Sequence, residues 1–171
     1  MNTSTQVPMQ LYQDLKADSL FKKWHSHNKD AYLSHFFCSI NSFLQTRDGW
    51  EIGYYEPQSD RITVFKALEK GGFEIRPAAE VFKTPQGSVE ALDMQEVSSS
   101  FDDACAVARV QFPALFPKEK CGDGFVILQH TNQLLLWNFN LISQSLKFLN
   151  VKINAQNSQL ASHQAIELVQ K

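Results

Sequence analysis

One stretch constrains the fold more than any other. Residues 124–155 read GFVILQHTNQLLLWNFNLISQSLKFLNVKINA, three apolar runs separated by two short polar breaks. Runs of this length, rich in aromatic and branched side chains and bounded by Asn, Gln and Ser, read as consecutive strands rather than as one long helix. A helical segment precedes them. Ser98-Ser-Ser-Phe-Asp102 offers N-cap residues, and Asp102 and Asp103 suit the positive end of a helix. Ala104, Ala108 and Phe112 recur every fourth residue, with Val107 on their face, and Pro113 and Pro117 are expected to stop the helix. A helix followed by antiparallel strands is an α+β arrangement.

The chain before this segment repeats the theme. Residues 1–8 read as a polar tail ending at Pro8. Met9 to His27 predicts one helix, with Leu11, Leu15, Leu20, Phe21 and Trp24 forming an apolar stripe. Ala31–Gln45 suits either a helix, by its spacing, or a strand buried on both faces, by its composition. Asp48-Gly49 marks a hairpin turn into an alternating strand from Trp50 to Glu56. Pro57 to Asp60 turns the chain into a second strand, Arg61 to Leu68, and Gly71-Gly72 breaks it. Phe73–Phe82 contains Pro77 and is expected at a sheet edge. A turn at Pro85-Gln-Gly87 and a short strand from Val89 to Val97 complete this half. Beyond residue 156, a short strand and a terminal helical turn are expected.

The two halves align. Trp50-Glu-Ile-Gly-Tyr stands opposite Trp137-Asn-Phe-Asn-Leu, an offset of 87 residues from 50 to 137. The same offset pairs Ile52 with Phe139, Tyr54 with Leu141, Ile62 with Leu149 and Val64 with Val151. One residue out of step, Leu20 and Trp24 stand opposite Ala108 and Phe112. Each half then reads helix, strand, strand, strand, and Ala31–Gln45 becomes a strand in the place of Phe125–His130. Chance is the competing explanation, because two Trp-led alternating strands will often align somewhere. The expected organisation is a tail (1–8), a first α+β unit (9–97) and a second (98–171), packed together as one globular body. Each unit is a helix on an antiparallel sheet, the pair reading as an internal duplication.

Several chemistries can be weighed from residue type and spacing. His25-x-His27, with His35 as a third ligand, is the most metal-like feature, since residues two apart share a face in an extended segment. At a helix end the two rings diverge, and they then simply complement the helix dipole. Cys38 with His35 could form a nucleophile–base pair on a helix, whereas on a strand the two face opposite ways and Cys38 is a small buried hydrophobe. Cys121-Gly-Asp-Gly124 lacks the lysine and hydroxyl of a phosphate-binding loop and reads as a turn. Trp50, Tyr54, Tyr55 and Trp137 are the candidate binding residues: on one sheet face they would make an aromatic platform, unless they pack beneath the helices. No cofactor motif is found.

Net charge −2 and pI near 6.2 argue against bulk nucleic-acid binding. No apolar run approaches the ~20 residues that span a bilayer. The N-terminal residues lack the pattern of a secretory signal, and three widely spaced cysteines fit a reducing compartment, so a cytoplasmic location is expected.

The second half resembles a PepSY-like domain over roughly residues 99–162. The resemblance rests on Ala104, Ala108 and Phe112-Pro113 in the helix, Trp137 in the hairpin, and Asn150-Val-Lys-Ile-Asn154-Ala155 running into a turn. The turn departs from the family pattern, because Asn154-Ala155-Gln-Asn-Ser158 has no glycine. The first half resembles the same plan through the repeat, and the whole is PepSY-like or, loosely, cystatin-like. The resemblance implies a non-enzymatic binding or regulatory module, associated in that family with peptidase propeptides and inhibition, and it carries no catalytic residues over.

The expected function is therefore engagement of a protein or peptide partner, by strand addition at the Phe73–Phe82 edge, with a peptidase as the sharpest version. One alternative is a small-ligand binder or enzyme with a cavity between helix and curved sheet, using His35, His130 or Tyr55. Another is a self-associating structural protein that forms a homodimer.

Overall fold

The computed structural model describes residues 8–80 and 88–169, the side chains of 77–80 excepted. It is an α+β fold dominated by one antiparallel sheet. In chain order the elements are α1 (Pro8–Ala17), α2 (Ser19–Ser26), β1 (Tyr32–Ile40), β2 (Glu51–Glu56), β3 (Arg61–Ala67), β4 (Phe73–Glu80), α3 (Phe101–Leu115), β5 (Cys121–Thr131), β6 (Leu134–Ser143), β7 (Lys147–Asn154) and β8 (Leu160–Glu167). A single 3-10 turn covers Met94–Glu96.

The expected N-terminal helix is two. Asp18 adopts an extended conformation between them, and its side chain accepts hydrogen bonds from Leu20 N (2.8 Å) and Phe21 N (3.2 Å). That is an N-cap, and it starts α2 in a new direction. Pro8 belongs to α1 rather than to a tail; proline suits a first helical position, where no donor is needed. Helix α3 is closed at its start by a reciprocal capping box between Ser100 and Asp103. Pro113 does not end α3, which continues to Leu115; the ring is accommodated in the last turn, and Phe116 N closes it onto Phe112 O at 2.9 Å.

Ala31–Gln45 forms a strand only as far as Ile40. Asn41 then accepts from Phe43 N and Gln45 N, and Leu44 takes a φ of 62°, which turns the chain. The strand expected at Val89–Val97 is absent. Asp93 instead caps the 3-10 turn by accepting from Gln95 N at 2.9 Å. The expected turn at residues 85–87 lies outside the described residues. No helical turn follows β8 among them.

The strand order is β4-β3-β2-β1-β5-β6-β7-β8, with every neighbouring pair antiparallel. Two four-stranded meanders are thus joined through β1 and β5 at the centre. The Phe73–Glu80 strand is an edge, as Pro77 predicts, and β8 is the other edge. Both bounds of β8 lie 87 residues beyond those of β4, from 73 to 160 and from 80 to 167.

All three helices pack on one face of the sheet. Strand alternation directs Phe36, Cys38 and Ile40 of β1, Ile52 and Tyr54 of β2, Val126 and Leu128 of β5, Trp137, Phe139 and Leu141 of β6, and Leu149, Val151 and Ile153 of β7 into that layer. Phe101, the first residue of α3, sits between Trp50 (5.2 Å) and Trp137 (5.6 Å), and the two indoles are 6.4 Å apart. On the other side Phe21 and Trp24 of α2 meet Phe65 edge-on at 5.3 and 5.1 Å. Among the described residues no helix lies on the opposite face.

Candidate binding site

Trp50, Tyr54 and Trp137 do not form an exposed platform. They point toward the helices and are 4%, 4% and 1% exposed. The helices claim the face that carries the largest side chains, because covering them removes the most apolar surface from water. Trp137 also donates its indole N–H to Ser99 O at 3.0 Å, which satisfies the buried polar atom. Tyr55 lies on the opposite face and is itself buried, 5.4 Å from the Tyr32 ring and donating its hydroxyl to Asp60.

The histidines do not converge. His25 stacks on Phe21 at 5.3 Å in the last turns of α2, while His27 Nδ1 contacts Lys23 O at 3.0 Å. His35 lies on the sheet face away from the helices. Among the described residues no group of three or more His, Cys, Asp or Glu is placed to hold a metal ion. Cys38 and His35 occupy opposite faces of β1, so no nucleophile–base pair forms. Burial pushes the Cys38 thiol up to about 12, and the sulfur donates to Asp48 O at 3.2 Å, which is the state of an inert core cysteine.

The uncovered face has two characters. Over the first meander it is charged: Arg76 of β4 reaches over β3 to pair with Glu51 of β2 at 2.5 Å, and Lys66 pairs with Asp48 at 2.7 Å. Over β1 and the second meander it is aromatic and amide-rich. Phe37 stacks on Phe125 at 5.4 Å, and Phe125 meets Phe148 at 5.9 Å. Ile142, Phe148 and Ile166 are aligned across β6, β7 and β8, and the two isoleucines are 39% and 49% exposed. Beside them Asn150 Nδ2 donates to Asn138 Oδ1 (2.5 Å), Asn140 Oδ1 (2.8 Å) and Phe139 O (3.2 Å). This cluster pins neighbouring strands without adding charge. Sequence reasoning missed the phenylalanine ladder because its members sit on three different strands. Only the register brings them together.

His35 is fixed on the same face by its neighbours. Its ring lies over Gly53, where a Cβ would approach the ring carbon Cε1 to 2.1 Å, and Nδ1 is 2.8 Å from Ser34 Oγ. Burial lowers its pKa to about 4, so the imidazole is neutral at physiological pH. His130 lies elsewhere, 3.4 Å from Glu90.

A separate open cleft of about 850 Å³ lies on the helical side. Its walls are a side of α1 (Met9, Tyr12, Gln13, Lys16), the start of β1, Tyr54 of β2, and the segment Ala91–Gln95. That last wall is tied to the sheet by Leu92 N donating to Leu33 O at 2.9 Å. Burial, then the neighbouring Tyr12, raises the pKa of Tyr54. His35, His130 and Tyr55, the polar groups expected in a cavity between helix and sheet, do not line this cleft.

A helix-backed antiparallel sheet with one face uncovered is the class of fold these observations define. No family model matches the sequence, and no curated protein matches it. A crystal structure from Clostridium difficile 630, provisionally described as a lipoprotein, is similar in fold: TM-score 0.53, 10% identity, covering 85% of this chain and 90% of that one. At that identity the likeness is one of fold alone. No helix among the described residues is long and apolar enough to cross a membrane.

Proposed function

We propose that this protein is a non-enzymatic binding module that takes a protein partner on the uncovered face of its sheet. The observation that carries this reading is the phenylalanine ladder Phe37–Phe125–Phe148, continued by exposed Ile142 and Ile166, on a face no helix covers among the described residues. Aromatic groups already held by their neighbours lose little freedom on binding, and desolvating them supplies most of the affinity at an interface. The amides of Asn138, Asn140 and Asn150 occupy the centre of the patch without charge, and Lys152, opposite Asn138, is the cation at its border. The sheet edges are the weaker contact. Pro77 removes a donor from β4, and a bulge between Ile62 and Val64 distorts its pairing.

The mirrored strand order and the shared 87-residue offset of β4 and β8 support the reading of one unit used twice, PepSY-like in plan. A regulatory role, with a peptidase as one partner class, follows from that likeness alone.

The test uses three variants of the whole protein in affinity capture with quantitative mass spectrometry. Ile142→Arg and Ile166→Arg place a charge on the sheet face, and Val110→Arg does so on the exposed side of α3. The expected result is a partner retained by the wild type and Val110→Arg and lost about tenfold or more from the two sheet variants. A partner indifferent to both sheet variants would refute the assignment of the face, and none at all would refute the module.

A further inference from the structure

The cleft between α1, α2 and the Ala91–Gln95 wall carries a second inference, independent of the sheet face. Its lining is divided by chemistry. The floor is apolar and aromatic, with Phe21, Leu33, Tyr54, Leu92 and Met94. The rim is basic, with Lys16, Lys22 and Lys29 joined by His25. One acid, Asp93, faces them, and it is occupied in capping the 3-10 turn through Gln95 N.

The spacing explains how the rim arises. On α1, Leu11 and Leu15 point into the core. Met9, Tyr12, Gln13 and Lys16 recur at three- and four-residue intervals and form a neighbouring stripe, which the core leaves to the cleft. Lys16 Nζ lies 4.4 Å from the centre of the Tyr12 ring, which holds one ammonium over the opening. Among the described residues none of the three lysines is in an ion pair. A cleft of about 850 Å³ falls within the size range of small-molecule sites.

We propose that this cleft binds an amphiphilic carboxylate, with its anionic head among Lys16, Lys22 and Lys29 and its apolar body against Phe21, Tyr54 and Met94. Three unpaired ammonium groups select against a cation of the same shape. The aromatic floor favours a hydrocarbon body over a small hydrophilic anion, which would leave that floor wet.

The probes are dodecanoate and dodecyltrimethylammonium, each titrated below its micelle concentration into the whole protein by calorimetry. Dodecanoate is expected to bind at one site and the cation not to bind. The double variant Lys22→Glu/Lys29→Glu, altered only at exposed positions, is expected to weaken dodecanoate by about tenfold or more with an unchanged melting temperature. Ile142→Arg/Ile166→Arg on the far face is expected to leave dodecanoate binding intact. The proposal is overturned if dodecanoate does not bind the wild type, if both probes bind equally, if the lysine variant binds like the wild type, or if the sheet-face variant abolishes binding. None of these outcomes bears on capture of a protein partner.

Discussion

His35 shows how much one residue's behaviour depends on a neighbour that has no side chain. Gly53 stands opposite it on β2, and only the missing Cβ lets the imidazole lie across that strand. Enclosed in this way, the ring resists protonation until about pH 4 rather than near its ordinary value. The unfolded chain, by contrast, takes up that proton near 6.5. The unfolded state therefore binds more protons between the two values, and the folded state loses stability as pH falls through that window. Stability is full above about pH 6.5, and the loss approaches about 3 kcal/mol near pH 4. Urea unfolding at pH 7.5 and 4.5 measures it. His35→Gln is expected to reduce the acid-dependent drop, and an identical drop in the variant would exclude His35 as its source. Cys38, three residues along, illustrates the opposite case. It is a reactive residue type made inert because the strand turns it into the core.

At the scale of the elements, local signals were legible wherever one residue type decides the outcome. The Ser98–Asp103 cap and edge-placed Pro77 are such cases, whereas the hairpin turn expected at Asp48-Gly49 is made at Asn41–Gln45, where Leu44 takes the positive φ. The misreadings came where two signals compete. The apolar stripe from Leu11 to Trp24 suggested one helix, but Asp18-Ser19 interrupts it, and a cap overrode the period. In α3, Pro113 reads as a stop, yet a proline in the last turn forgoes one hydrogen bond and the helix closes regardless. Val89–Val97 looked like a strand by composition, but Asp93 favours a tight turn there. Asp18→Ala removes the acceptor for Leu20 N and Phe21 N. It is expected to cost about 1 kcal/mol and to loosen α2 from Phe65, read as a lowered thermal midpoint; Asp18→Asn is expected to recover most of it.

For the molecule as a whole, two-residue alternation told which side chains share a face, but not which face the helices would cover. That choice is global: it follows from the combined area of Trp50, Ile52, Trp137, Phe139 and their neighbours, and no window of the sequence contains it. Of the two placements weighed for Trp50, Tyr54 and Trp137, an aromatic platform or packing beneath the helices, the structure adopts the second, and the phenylalanine ladder on the other face escaped notice. The central position of β1 and β5 carries its own prediction. Amide hydrogen exchange is expected to be slowest in β1, β5 and β6 and fastest in β4 and β8, which have a neighbour on one side only. Equal protection across the sheet would contradict this strand order.

The same order has a consequence during synthesis. Six of the seven strand pairings join neighbours in the sequence, but β1 must also wait for β5, which ends about 90 residues after β1 does. At ~5–20 residues per second, the ribosome needs roughly 5–18 s to supply it. Throughout that interval the nascent chain presents an unpaired edge bearing Phe36, Phe37 and Ile40. The first half is thus a sheet with a sticky margin until the second arrives. Slowing translation between residues 41 and 120 lengthens that exposure and favours capture by chaperones or aggregation of the growing chain.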